Sequence, residues 1–270
     1  MEAVLRLAAT AISDRLTLKP QFLERESRLL PLKILRYERL LSTNTTAYRL
    51  AEQSAPEWTV VVADVQTKGR GRGGNKWASP KGGLWFSILL RPNLPNPRLH
   101  LLQFLAATAT RKAVENETAL RVMLKWPNDL VLGNAKLGGI LVESKTQGEK
   151  VSFAILGIGL NVNQGKAQLP PGAISMRLVS GKQHELRALL RAILDQIRSS
   201  FDELDHPSKI MHEWWSNCIH RPLKVQVTLP EDTVTGISRA VAEDGSLIIE
   251  TDDDHRIRKV NEGSLRILND

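Results

Sequence analysis

The alternation of apolar and polar positions divides the chain into three stretches. In residues 1–18, Val4, Leu7, Ala8, Ala11 and Ile12 recur at helical spacing until Pro20 interrupts them. A second short helix is predicted over residues 22–30, ended by Pro31. From Pro31 to about Cys218 both periods are mixed. "STNTTAYRLAEQ" predicts a helix beginning near Ser42, and "WTVVVADVQ" a valine-rich strand. "GLWFSILLRP" predicts a second strand, stopped by Pro92. Leu102, Leu105, Ala106, Ala109 and Ala113 mark a helix over residues 99–116. "RVMLKWP" and "DLVL" predict short strands around Pro127. "KLGGILVES" and "VSFAILGIGLNV" predict an adjacent strand pair turning at Gly148. The clearest helix covers residues 184–204, where Leu186, Leu189, Leu190, Ile193, Leu194, Ile197 and Phe201 line one face.

After Cys218 the period switches to two. Val225, Val227 and Leu229 alternate with polar residues, and "TVTGISRAVAEDGSLIIET" reads as two strands turning at Asp244-Gly245. "IRKV" and "SLRIL" add two more, so a small β-barrel is predicted. The expected organisation is an N-terminal helical extension over residues 1–35, an α+β domain over 36–218 and a small β-barrel domain over 219–270.

Composition narrows the function classes only slightly. The 270 residues are 42% hydrophobic and 24% charged, as in an ordinary globular protein. A net charge of +8 favours anionic partners without choosing among nucleic acid, phosphorylated metabolites and acidic proteins. One cysteine, Cys218, allows no disulfide within the chain, which fits a cytoplasmic location. No Cys or His spacing suggests zinc, and neither a signal peptide nor a membrane span is expected.

The first chemically distinctive stretch is "QTKGRGRGGNKWASPKGGLWFSILLRP", residues 66–92. Lys68, Arg70, Arg72 and Lys76 fall in eleven residues without an acid, spaced by Gly69, Gly71, Gly73 and Gly74. Glycines let backbone approach a ligand, and arginines donate bidentately to phosphate or carboxylate. The loop therefore reads as one that orders around an anion. A mobile surface loop or an RGG-like nucleic-acid contact fits it equally well. Trp77 reads as core or as a stacking plate for a base.

The second stretch, "KWPNDLVLGNAKLGGILVES" at residues 125–144, sets Lys125, Asn128, Asp129 and Lys136 near strand ends. Cations and amides there suit a polyphosphate, and an aspartate suits Mg²⁺. These two motifs, in this order and with "GIGLNVN" downstream, resemble the biotin protein ligases over roughly residues 32–268. The resemblance implies an α+β fold, with a mixed-sheet catalytic domain of the biotin/lipoate ligase type and a small C-terminal SH3-like β-barrel. It implies an enzyme that ligates biotin to one lysine of a biotin carboxyl carrier protein, such as that of acetyl-CoA carboxylase. ATP with Mg²⁺ would drive the reaction through biotinyl-AMP.

By match to the family's motifs, Lys136, Arg70 and Arg72 are the catalytic candidates, with Lys136 the cation beside carboxylate and α-phosphate. Biotin would be held by Ser42, Thr43, Asn44, Gln66, Gly69, Arg70, Gly71, Arg72, Lys136, Gly139 and Gly157. ATP would meet Arg72, Trp77, Lys125, Asn128, Lys136 and Asn161, and Asp129 is a candidate Mg²⁺ ligand. Taken alone, Ser42 reads as an N-cap, Lys136 as a turn lysine, and the glycines as turn or bulge positions. Gly73 stands where many family members carry another basic residue. Residues 1–35 hold six basic and four acidic residues, so no specific DNA binding is expected, and the protein should be a monomer or weak homodimer. Two other readings remain at this level: a lipoate or octanoate ligase or transferase of related architecture, and a noncatalytic basic nucleic-acid-binding protein.

Overall fold

The computed structural model describes residues 21–23, 32–253 and 255–268. The helix expected over residues 1–18 lies outside them. Of the helix expected over 22–30, the described residues instead form strand β1 (Gln21–Leu23). It pairs antiparallel with β2 (Lys33–Leu40), Phe22 opposite Leu35. A distant partner strand here overrides a weak local helical spacing.

The chain forms two compact units. The first takes Met1–Asn96, Leu141–Pro171 and Ser175–Leu186. Its strands are β1, β2, β3 (Thr59–Gln66), β4 (Leu84–Leu90), β8 (Lys150–Leu160) and the later part of β7 (Ala135–Gln147). They lie in the order β1-β2-β3-β4-β8-β7. β2 and β3 run parallel, whereas β3, β4 and β8 are successively antiparallel. All seven residues of β4 are buried, which is why that stretch is apolar without alternation. Helix α1 (Thr43–Glu52) connects β2 to β3, a helical crossover between parallel strands. Its small buried residues Ala47 and Ala51 pack with Leu35, Val61, Leu89 and Ile155. At its far end Tyr48 meets Phe153 edge-on at 4.9 Å. The turn after β7 falls at Gly148, whose φ of 61° suits glycine. A short helix α3 (Met176–Ser180) is capped by the Ser175 hydroxyl.

The second unit takes Pro97–Ile140, Gly172–Ile174 and Arg187–Asp270. Helix α2 (His100–Thr118) leads into β5 (Met123–Lys125), β6 (Asp129–Leu132) and the first part of β7, an antiparallel meander. Helix α4 (Leu186–Ser199) buries Leu189, Leu190, Ile193, Leu194 and Ile197 of the predicted face, but it ends before residue 204, and Phe201 opens a separate 3-10 turn (Phe201–Asp205). Helix α5 (Pro207–Ser216) packs on α2, with the Phe104 and Trp214 rings 5.0 Å apart. The chain then forms β9 (Lys224–Thr228), β10 (Thr233–Val241), β11 (Leu247–Thr251), β12 (Ile257–Val260) and β13 (Ser264–Ile267). These make an all-antiparallel sheet in the order β12-β11-β10-β9-β13, as the two-residue period requires. Among the described residues no helix is long and apolar enough to cross a membrane.

Leu89 is fully buried under α1. Leu89→Ala should cost about 2–5 kcal/mol of stability, measured by urea unfolding. A cost below about 1 kcal/mol would remove β4 from the core.

Candidate functional site

In the first unit a chain of hydrogen bonds links the end of β3 to the start of α1. Ser42 occupies the helix N-cap, but its side chain makes no capping bond. The capping role passes to Gln66, whose Oε1 accepts from the Thr43 amide at 2.7 Å and the Thr43 hydroxyl at 3.1 Å. A helix leaves its first amides unpaired, and Gln66 at the end of β3 satisfies one of them. Gln66 Nε2 donates to Ser79 Oγ at 2.8 Å, which fixes the amide's orientation. The Ser87 hydroxyl, buried in the otherwise apolar β4, lies 2.7 Å from Thr43 Oγ1 and 2.5 Å from Asn44 Oδ1. Asn44 Nδ2 then donates to Glu143 Oε2 at 2.8 Å.

Two glycines make room for this network. A Cβ on Gly157 would lie 2.1 Å from Asn44 Oδ1, and one on Gly69 would lie 2.4 Å from the Trp77 carbonyl. Gly71 is different: a Cβ there meets nothing closer than 3.5 Å. The glycine–arginine loop is a folded turn. Gly71 N–H donates to the Asn75 carbonyl and Trp77 N–H to the Gly69 carbonyl. A single 3-10 turn spans Arg72–Gly74, with Gly73 and Gly74 at φ of 59° and 77°. Arg70 is ion-paired with Glu143 at 2.7 Å, and Arg72 is half-buried. The Trp77 ring lies over Gly159, where a Cβ would come 2.7 Å from the indole nitrogen, and meets Trp85 edge-on. Asn161 is buried beside Gln164.

The second unit carries a charged cluster on its meander. Lys125 stands opposite Asp129 across β5 and β6, and Asp129 opposite Gly139 across β6 and β7. Lys136 Nζ contacts Asp129 Oδ1 at 2.6 Å. Lys136 is also tied through its backbone, donating to the Gly172 carbonyl and accepting from Ile174 N–H. Burial lowers the Lys125 pKa, Asp129 opposes that shift, and Lys136 adds to it. Two cations on one carboxylate leave net positive charge, an arrangement suited to a polyphosphate. Asn128 does not join the cluster, because its side-chain amide bonds the Ile140 carbonyl. Among the described residues no three His, Cys, Asp or Glu gather to hold a metal. Asp129 is engaged by Lys136, so a Mg²⁺ ion would have to bring most of its oxygens on phosphates and water.

Trp126 anchors this cluster. It is buried, its indole N–H donates to the Gly245 carbonyl and its backbone N–H to His220 Nε2. Cys218 Sγ lies 2.9 Å from the same nitrogen, and burial pushes its thiol pKa up, away from the thiolate.

Of the residues singled out from sequence, Ser42, Thr43, Asn44, Gln66, Gly69, Arg70 and Gly157 come together in the first unit, and Lys125, Asp129, Lys136 and Gly139 in the second. Ser79, Ser87, Glu143 and His220 were missed. A lone serine inside the apolar "GLWFSILL" was the one available signal for Ser87.

Residues 37–161 match the Biotin/lipoate A/B protein ligase family, and residues 224–265 match the Biotin protein ligase C terminal domain. The chain is 34% identical over 219 residues to the Bifunctional ligase/repressor BirA of Bacillus spizizenii, covering 78% of this chain and 67% of that protein. It is 39% identical over 124 residues to the Biotin–[acetyl-CoA-carboxylase] ligase of Paracoccus denitrificans, covering 45% and 51% of the two. A biotin protein ligase from Aquifex aeolicus, solved in complex with biotin and ATP, superposes with a TM-score of 0.72. Its sequence identity is 31%, over 87% of this chain and 99% of that one.

Gly157→Ala should displace Asn44 and cost about 1–3 kcal/mol in urea unfolding, whereas Gly71→Ala should be neutral within about 0.5 kcal/mol. Equal effects would mean that the Gly157 approach is not restrictive. Stability should also depend on His220. Burial, with the Lys125 charge beside it, holds the imidazole pKa at about 3, below the ordinary 6.5. Between those values the unfolded chain binds a proton that the folded one refuses. The stabilisation is therefore complete above about pH 6.5 and falls toward pH 3, by at most about 1.4 kcal/mol per unit. His220→Gln should flatten that slope in a pH series of unfolding curves.

Proposed function

The chain belongs to the biotin protein ligase family, and from that premise we infer that it joins biotin to a lysine of a biotin-dependent carboxylase's carrier domain, using ATP. The biotin carboxylate attacks the α-phosphate of ATP, forming the acyl-phosphate bond of biotinyl-AMP and releasing pyrophosphate. The carrier lysine amine then attacks the acyl carbon, loses a proton as the amide forms, and AMP leaves. The lipoate or octanoate alternative shares the architecture and the first family's name, but the C-terminal domain, the Paracoccus denitrificans relative and the Aquifex aeolicus structure are named for biotin alone.

The observation that carries this reading is the Gln66–Thr43–Ser87–Asn44 network beside the side-chain-free Gly157. It offers donors and acceptors in a fixed array next to bare strand backbone, as an apolar acid with a urea-like head requires. In our assignment Ser42, Thr43, Asn44, Gln66, Gly69 and Gly157 hold biotin, and Arg70 and Arg72 its carboxylate. Lys125 and Lys136 neutralise the phosphates, and Trp77 and Asn161 lie on the nucleotide side. Gly71 and Gly139 are kept as backbone contacts. Asn128 is assigned to hold β7, with its role toward ATP passing through that strand. Mg²⁺ would come as the ATP complex, and Asp129 is the carboxylate that would share in holding it. We assign this work to the cytoplasm, a compartment that the single cysteine fits. Operator binding is not part of the reading, because residues 1–35 carry little net charge.

Lys136→Ala should lower biotin-dependent ATP–pyrophosphate exchange by on the order of 10²–10³ while the protein stays folded. Lys136→Arg should rescue it only in part, since the guanidinium is larger and planar. Exchange at the parent rate in the alanine variant would make Lys136 a turn residue.

A further inference from the structure

Glu143 stands between the two parts of the first unit's site, and no sequence motif pointed to it. One carboxylate oxygen accepts from Asn44 Nδ2 at 2.8 Å, and the other is 2.7 Å from the Arg70 guanidinium. Asn44 is 4% exposed, held by Ser87 on its other side and overlaid on Gly157. Arg70 belongs to the exposed cationic loop, with its side chain 54% exposed. Glu143 therefore joins a buried, hydrogen-bonded amide to an exposed, glycine-rich turn.

We propose that Glu143 is the positioning residue for Arg70, an internal counter-ion that sets the guanidinium and its loop relative to Asn44 before an acid substrate arrives. The proposal rests on the assignment of Arg70 and Asn44 to biotin. Lys68, Arg70, Arg72 and Lys76 repel one another, and the four glycines make ordering them entropically costly. A carboxylate fixed on β7 offsets the repulsion and chooses one loop conformation. The bond is weak enough to be shared: a half-exposed ion pair contributes little net stability, so an incoming carboxylate or phosphate engages the same guanidinium at small cost. A deeply buried pair would resist that exchange.

Glu143→Gln separates the two links. A carboxylate accepts at both oxygens, whereas an amide accepts at one and donates from the other. The remaining oxygen stays with buried Asn44, where an unsatisfied amide is most costly, and the NH₂ faces the guanidinium and repels it. Global unfolding should therefore change little. Amide exchange of residues 69–76 in the ligand-free protein should speed up by roughly two- to fivefold, the size expected of one such ion pair. Core strands β4 and β8 serve as the unchanged control. KM for biotin should rise several-fold while kcat holds. The Arg70→Gln, Glu143→Gln double variant should exchange no faster than Arg70→Gln alone, because the interaction is already gone. Unchanged exchange at residues 69–76 in Glu143→Gln would overturn the proposal, as would additive effects in the double variant. Loss of protection throughout the first unit would reassign Glu143 to folding. Because exchange is read without substrates, it tests the counter-ion independently. A parent protein with no biotin-dependent ATP–pyrophosphate exchange would instead overturn the functional reading.

Discussion

Keeping positive charge in place at the end of a strand is the constraint on which the rest of this protein depends. A flexible cation on a surface loop is of little use to a reaction that must aim it. Here each of two candidate cations leans on a carboxylate carried by a strand. Arg70 is set by Glu143 on β7 within the first unit, and Lys136 by Asp129 on β6 within the second. The pairs are part-exposed, so an incoming anion can reach each cation while the pair defines its geometry. The same logic explains why carboxylates occur in a protein whose candidate ligands are acids.

The sheets serve that end. β4 is paired with β8 along its whole length and is buried throughout, which lets Ser87 and Gly157 serve the site rather than stability. The small residues of α1 bring the N-terminus of that helix close enough for Gln66 to satisfy its first amide. In the second unit the β10–β11 turn supplies the Gly245 carbonyl that holds Trp126, one residue from Lys125. The C-terminal sheet is thus part of what fixes the lysine-bearing meander.

Much of this was legible in the sequence because it is local. The period of two after Cys218, the apolar face of α4 and the turn at Gly148 follow from neighbours a few residues apart. Contacts across the chain were not legible. β2, "KILRYERL", fits neither period cleanly and becomes a strand by parallel pairing with β3. Gln21–Leu23 is a strand for the same kind of reason. Ser42 carries the signature of a capping serine, yet Gln66, brought back by a whole strand, does the capping. Asn44 and Glu143 are 99 residues apart, so no spacing rule reaches their bond. The motif residues carry a resemblance in their local sequence, whereas the groups that position them come from distant parts of the chain.

The most direct measurement is the mass of a carboxylase carrier domain after incubation with this protein, ATP, Mg²⁺ and an equimolar mixture of biotin and lipoate. The account predicts that one lysine gains one biotinyl group, that the gain requires ATP, and that no lipoyl adduct forms. Lipoylation of the carrier, or an unmodified carrier beside a folded protein, would contradict it.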